Sequence, residues 1–135
     1  ARQRALAEHG LSAVVAHMEE TTIESGRAAF QQIYAQNPEL TAICAVNGSM
    51  AIGAIHAAKA VGKQVPDDLS VIGFDDIPWA ELNDPPLTTI HIPRQQIGKE
   101  AAHRVLMLLD DADLLASEIL VPVTLVERQS TSRRR

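Results

Sequence analysis

The sequence predicts an α/β fold, a mostly parallel sheet with helices on both faces, and three observations carry that expectation. Apolar runs of strand length alternate with stretches of helical period along the chain, the arrangement that parallel strands joined by helical crossovers require. Three of these runs lead directly into a turn or a helix start, at His17-Met18-Glu19-Glu20-Thr21, Val46-Asn47-Gly48 and Phe74-Asp75-Asp76. The 135 residues are 46% hydrophobic and 21% charged, an ordinary globular composition. A chain of this length buries roughly two-thirds of its extended surface, and crossovers between its parallel strands are expected to be right-handed.

Leu6 and Ala7 belong to the tail of a helix that Gly10 ends as a C-cap. Leu11 to Ala16 reads as a buried strand. Thr21 then caps a helix, with Glu24 three residues later completing a capping box. Gly26, Phe30, Ile33 and Tyr34 form its apolar stripe, and Asn37-Pro38 stops it. Ala42 to Val46 is a second buried strand with Cys44 inside it, and Ser49 caps the helix that follows, running to about Gly62. Met50, Gly53 or Ala54, Ala57 and Val61 give that helix a face for the sheet. Ile52 and Ile55 lie off this stripe, so the reading is a second buried face of Met50, Ile52 and Ile55 at a subunit interface, with deep burial within one larger chain as the alternative.

Pro66-Asp67-Asp68 is a turn and Leu69 to Phe74 a third strand. Leu87 to Ile92 is strand-like, after an irregular stretch across Pro78, Pro85 and Pro86. Pro93 opens a helix with a stripe of Ile97, Ala101, Val105 and Leu108. Ile119 to Val126 closes the fold, and Pro122 restricts it to an edge or bulged strand. Residues 129–135 read as a polar, basic, disordered tail.

Composition excludes several function classes. The net charge of −5, from 12 basic and 17 acidic residues, repels phosphate backbones and argues against sequence-independent nucleic-acid binding by this segment. No apolar run approaches the roughly 18 residues a membrane span needs, and no basic-then-apolar leader opens the chain. The chain starts in helix-like sequence without an initiator Met, which reads as a cut fragment. One cysteine forms no intrachain disulfide, which suits a reducing cytosol. His9, His17, His56, His91 and His103 make no close ligand pair, so no metal is expected. No Walker loop, dinucleotide fingerprint or nucleophile elbow is present, so neither a cofactor nor an enzyme is expected.

Open parallel sheets bind ligands beyond the carboxyl ends of their strands. A carboxylate at Asp75 and an amide at Asn47 converging there suit a hydroxylated ligand, since each charge-assisted hydrogen bond contributes roughly 1.5–3 kcal/mol. Asp76 alternatively caps the turn before Ile77-Pro78, and Asn47 alternatively tolerates a left-handed turn. Adjacent acids at a strand end also suit a metal or phosphoacceptor site with Glu20 as a further carboxylate, but no lysine stands at a matching strand end.

At these junctions the sequence resembles the LacI/GalR family of transcriptional regulators. Glu24-Ser25-Gly26 is similar to the family's helix opening, and Thr41-Ala42-Ile43 through Asn47-Gly48-Ser49-Met50-Ala51 to its P-T-A-I/V…N-D-x-M-A pattern. Val65-Pro66-Asp67-Asp68-Leu69-Ser70-Val71-Ile72-Gly73-Phe74-Asp75-Asp76 resembles V-P-x-D-I/L-S-V/I-I/V-G-F/Y-D-D/N, and Pro86-Leu87-Thr88-Thr89-Ile90 resembles P-L-T-T-I/V.

The resemblance implies one lobe, residues 1–128, of a two-lobe periplasmic-binding-protein-like fold of Rossmann-like type. Residues 93–110 would cross toward a first lobe upstream. It implies Asp75 as the effector-binding aspartate and Asn47 as a second contact. Thr21 stands where the family often places a stacking aromatic. Glu20 is a neighbouring candidate, and Trp79 offers an alternative stacking face or a packing residue. Gly48 replaces the family's usual Asp. The implied protein is a cytoplasmic homodimer that binds a sugar or related metabolite and meets operator DNA through an upstream helix-turn-helix, with a periplasmic sugar-binding protein of an importer as the alternative. The family's arginine contacts would lie upstream or in the other lobe.

Overall fold

The computed structural model of the chain describes residues 2–110 and 118–133. The strand-length and helix-period segments become α1 (Arg2–Glu8), α2 (Ile23–Gln36), β1 (Ala42–Cys44), α3 (Gly48–Ala60), β2 (Ser70–Phe74), α4 (Trp79–Leu82), β3 (Thr88–His91), α5 (Arg94–Asp110) and β4 (Thr124–Val126). The sheet order is β1-β2-β3-β4. The first three strands are parallel, with Cys44 beside Ile72 and Phe74 beside Ile90. β4 is antiparallel to β3, with Val126 beside Thr89. The fold is therefore a mixed, mostly parallel α/β sheet, and β4, the strand after Pro122, lies at its edge.

Side chains alternate across a strand, so Val71 and Gly73 of β2 share the face that α3 covers. A Cβ at Gly73 would lie 3.2 Å from that of Ala51 and 2.9 Å from the Leu87 side chain, which is why helix and sheet meet so closely here. Phe30, Ile55, Leu69, Val71 and Leu87 fill the core. The other face of β2, with Ser70, Ile72 and Phe74, is half-buried to exposed.

The second apolar face of α3 packs against α2. A Cβ at Gly53 would sit 2.0 Å from the Ile23 carbonyl oxygen, and one at Gly26 would sit 2.2 Å from that of Met50. The two helix backbones touch through these glycines, so Ile52 and Ile55 are buried within the chain and Met50 is half-buried. Of the expected face of Met50, Ile52 and Ile55, the two isoleucines are thus covered within the chain by a neighbouring helix that periodicity alone could not see.

Other expectations shift for local reasons. Leu11 to Ala16 forms no strand; it joins no ladder, and Leu11, Val14 and Val15 are exposed. Cys44 is exposed because β1 is an edge strand of the described sheet. Thr22, not Thr21, caps α2, accepting from Ser25 N–H at 3.1 Å, so Glu24 is not the partner in a capping box. Asn47, not Ser49, caps α3.

The tail expectation is also corrected, for residues 129–132. Ser130 is 0% exposed and its hydroxyl donates to the Val71 carbonyl at 2.6 Å while accepting from Thr88 N–H at 2.8 Å. Ser130 O accepts from Val71 N–H at 2.7 Å. These bonds place the segment across β2 and β3, where backbone groups would otherwise be buried unpaired. Arg134 and Arg135 lie outside the described residues. In contrast, α5 has no buried residue, and its Ile97, Val105 and Leu108 are all exposed.

Candidate functional site

The carboxyl ends of β1 and β2 lie side by side, because Ala45 N–H donates to the Ile72 carbonyl at 2.9 Å just beyond the paired residues. At the β1 exit, Asn47 has two tasks. Its Oδ1 accepts from Met50 N–H at 2.9 Å, closing the first turn of α3, and its Nδ2 donates to the Thr21 carbonyl at 3.0 Å. The loop before α2 is thereby pinned to the strand end, and the exposed side chains of Glu20 and Thr21 stand at its rim. Gly48 is buried: a Cβ there would come within 2.8 Å of the Ile77 side chain and 3.4 Å of the Phe74 carbonyl. Ile77 thus occupies space that an acidic side chain at 48 would need.

At the β2 exit, Asp75 and Asp76 have φ of 85° and 46°. This left-handed backbone disfavours residues with a Cβ, costing on the order of 1–3 kcal/mol each, and persists where surroundings over-determine it. Here they do. Asp76 N–H donates to Thr89 Oγ1 at 3.3 Å, Arg128 Nη2 donates to Asp76 Oδ1 at 2.9 Å, and His91 Nδ1 lies 3.0 Å from Asp76 Oδ2. Arg94, the first residue of α5, donates to the carbonyls of both Asp75 and Asp76. The Asp76 side chain is only 17% exposed. Burial pushes its carboxyl upward, but the hydrogen bonds and charges of Arg128 and His91 outweigh this and hold it below the ordinary 3.8.

Asp75 is the opposite case. It is half-buried, and among the described residues no hydrogen bond or ion pair reaches its carboxylate. Two guanidinium groups and an imidazole surround the turn, and all of their bonds go to Asp76 or to backbone carbonyls. An acceptor oriented by a fixed backbone and left unneutralised is suited to donors on a small hydroxylated molecule.

Trp79 lies elsewhere. It is 65% exposed on α4 and lines an open groove of about 220 Å³ with Ile23, Ile52, Leu82 and Asn83, an apolar lining without a carboxylate. Among the described residues no group of three or more His, Cys, Asp or Glu is arranged to hold a metal ion, and no helix is long and apolar enough to cross a membrane.

Sequence reasoning has Asn47 and Asp75 at strand ends, where the structure places them; Glu20 and Thr21 stand in the loop before α2 and not at the end of a strand, and His91, Arg94 and Arg128 are missed. His91 was detectable in principle, since it closes the strand that pairs with β2. Arg128 carries no local signature: it stands 52 residues from Asp76 and meets it only because β4 turns back antiparallel.

A model of the periplasmic binding protein-like domain family matches residues 1–131. The ribose operon repressor of Bacillus subtilis (strain 168) is 35% identical over 112 residues, covering 83% of this chain and 34% of that protein. The HTH-type transcriptional repressor CytR of Escherichia coli (strain K12) is 47% identical over 89 residues, covering 66% of this chain and 25% of that protein. The structure of a LacI family transcriptional regulator from Arthrobacter sp. FB24 in complex with lactose is 33% identical, with a TM-score of 0.84, covering 96% of this chain and 49% of that one. The chain spans 34% and 25% of the lengths of the two repressors compared.

Proposed function

Since this chain belongs to the periplasmic-binding-protein-like domain family of LacI/GalR-type regulators, we propose that it is the effector-binding lobe of a transcriptional regulator whose ligand is a sugar. The observation that carries this reading is the half-buried Asp75 carboxylate, which no bond reaches among the described residues, at the exit of β2, next to the exit of β1 where Asn47 meets Thr21. Hydroxyls of the sugar donate to Asp75, and the rim of Glu20 and Thr21 bounds the site. The facing half of the cleft comes from a first lobe outside this chain, toward which α5 carries its exposed apolar face.

Operator DNA is contacted by an upstream helix-turn-helix and not by this acidic segment of net charge −5. The effector alters operator affinity through its different affinities for the open and closed arrangements of the lobes. The regulator works in the cytoplasm as a homodimer and carries out no chemistry on its ligand. The groove around Trp79 and Leu82, which are 65% and 74% exposed, supports the dimer. The importer-receptor reading shares the same cleft; relatives that are repressors favour the regulator.

In the full-length protein, Asp75→Asn is expected to abolish the effector response while leaving operator binding intact. Operator binding is followed by fluorescence anisotropy as ribose or lactose is added, and an unchanged effector titration rejects Asp75 as the contact.

A further inference from the structure

We propose that Asp76 is a positioning residue for the effector site: clamped by Arg128 and His91, it locks the left-handed turn that presents the Asp75 carboxylate unpaired. The inference rests on the reading of Asp75 as the effector contact, and it assigns the turn's stability to groups that touch no ligand.

Three features support it. Both residues of the turn are non-glycine with positive φ, so the backbone relaxes unless something holds it. Every hold converges on residue 76 or on the turn's carbonyls: Thr89 and His91 from β3, Arg128 from beyond β4 and Arg94 from α5. The clamp also occupies the cations. Arg128 is only 18% exposed and divides its guanidinium between Asp76 and the Leu87 carbonyl. With Asp76 taking that charge, Arg128 leaves Asp75 unpaired for a ligand. Without the Asp76 charge, Arg128 is released beside a turn whose other residue, Asp75, carries a carboxylate, and a pair between them would close the site from within. Through Arg94 the same turn is tied to the first residue of α5, so the clamp also orients the start of that exposed helix relative to Asp75.

The test compares Asp76→Asn with Ser130→Ala in the full-length protein. Ser130 bonds Val71 and Thr88 near the other end of the same strands, so its loss weakens the fold without touching the turn. Affinity for whichever of ribose or lactose gives the larger thermal shift is expected to fall at least tenfold in Asp76→Asn and less than twofold in Ser130→Ala, at a temperature where both are folded. A merely structural role would lower affinity in both alike or in neither. His91→Gln, which keeps a donor beside Asp76, is expected to retain affinity within threefold.

A ligand-free readout decides the matter independently of the effector. In a crystal structure of Asp76→Asn, residue 75 is expected to leave the left-handed region or its carboxylate to pair with Arg128. If φ at 75 and 76 stays near the wild-type values with Asp75 unpaired, the proposal is overturned. Loss of binding in Asp75→Ala with full binding in Asp76→Asn overturns the clamp alone. Full binding in Asp75→Ala overturns the site reading and the clamp with it.

Discussion

Asp75 and Asp76 are chemically identical neighbours in opposite surroundings: Arg128 and His91 bond the Asp76 carboxylate, and among the described residues no bond reaches that of Asp75. Asp76 is ionised against burial by Arg128 and His91, so its pKa lies below the ordinary 3.8. A depressed carboxyl pKa stabilises the folded state above the unfolded value, and that contribution disappears as pH falls through the folded value. The full-length protein is therefore expected to lose unfolding free energy more steeply below about pH 3.8 than its Asp76→Asn variant, as urea titrations across that range would register. Glycine acts at the same scale by its lack of a side chain. Gly53→Ala places a methyl 2.0 Å from the Ile23 carbonyl oxygen, so α2 and α3 must separate. Overpacking of this kind costs about 1–3 kcal/mol or more, and a thermal melt no lower than wild type would contradict the backbone contact described for these helices.

Elements differ in how completely the chain itself satisfies them. α3 is enclosed by α2 and the sheet, whereas α5 buries no residue and Leu11, Val14 and Val15 have no strand to join. The segment after β4 is the reverse case: polar in composition, yet bonded across two strands through Ser130. Ser130→Ala leaves the Val71 carbonyl and the Thr88 N–H short of a partner in a buried place, which costs roughly 1–3 kcal/mol for each group left unsatisfied. Denaturant unfolding of the full-length variant is expected to show a lowered midpoint with an unchanged slope. A midpoint equal to wild type would mean the segment contributes no hold.

At the scale of the whole molecule, the exposed apolar surface is the ground for the proposed dimer. Trp79 and Leu82, with Ile23, form a groove that water solvates poorly. Replacing both Trp79 and Leu82 with Glu puts like charges across the proposed symmetric contact. Sedimentation of the full-length variant is expected to shift from dimer toward monomer at micromolar concentration, with effector affinity within about threefold. A dimer as tight as wild type would place the interface elsewhere.

Much of this protein was legible by local rules. The alternation of apolar runs and helical segments determined a mostly parallel α/β sheet, and Leu69–Phe74 followed by two acids determined where a strand ends at a polar site. The same rule read Asn47 and Asp75 at strand ends, and they stand at the exits of β1 and β2. Tertiary structure alone decided which surfaces close on one another. Ile52 and Ile55 read as an outward face until α2 is seen against Gly53, and Ser130 reads as a solvated tail until its hydroxyl is seen between β2 and β3. The different bonding of Asp75 and Asp76 is decided by His91, Arg94 and Arg128, residues 15 to 52 positions away from those they hold. Periodicity and capping are local in the chain, while packing and ion pairing depend on distance in space, which only the folded arrangement of the strands supplies.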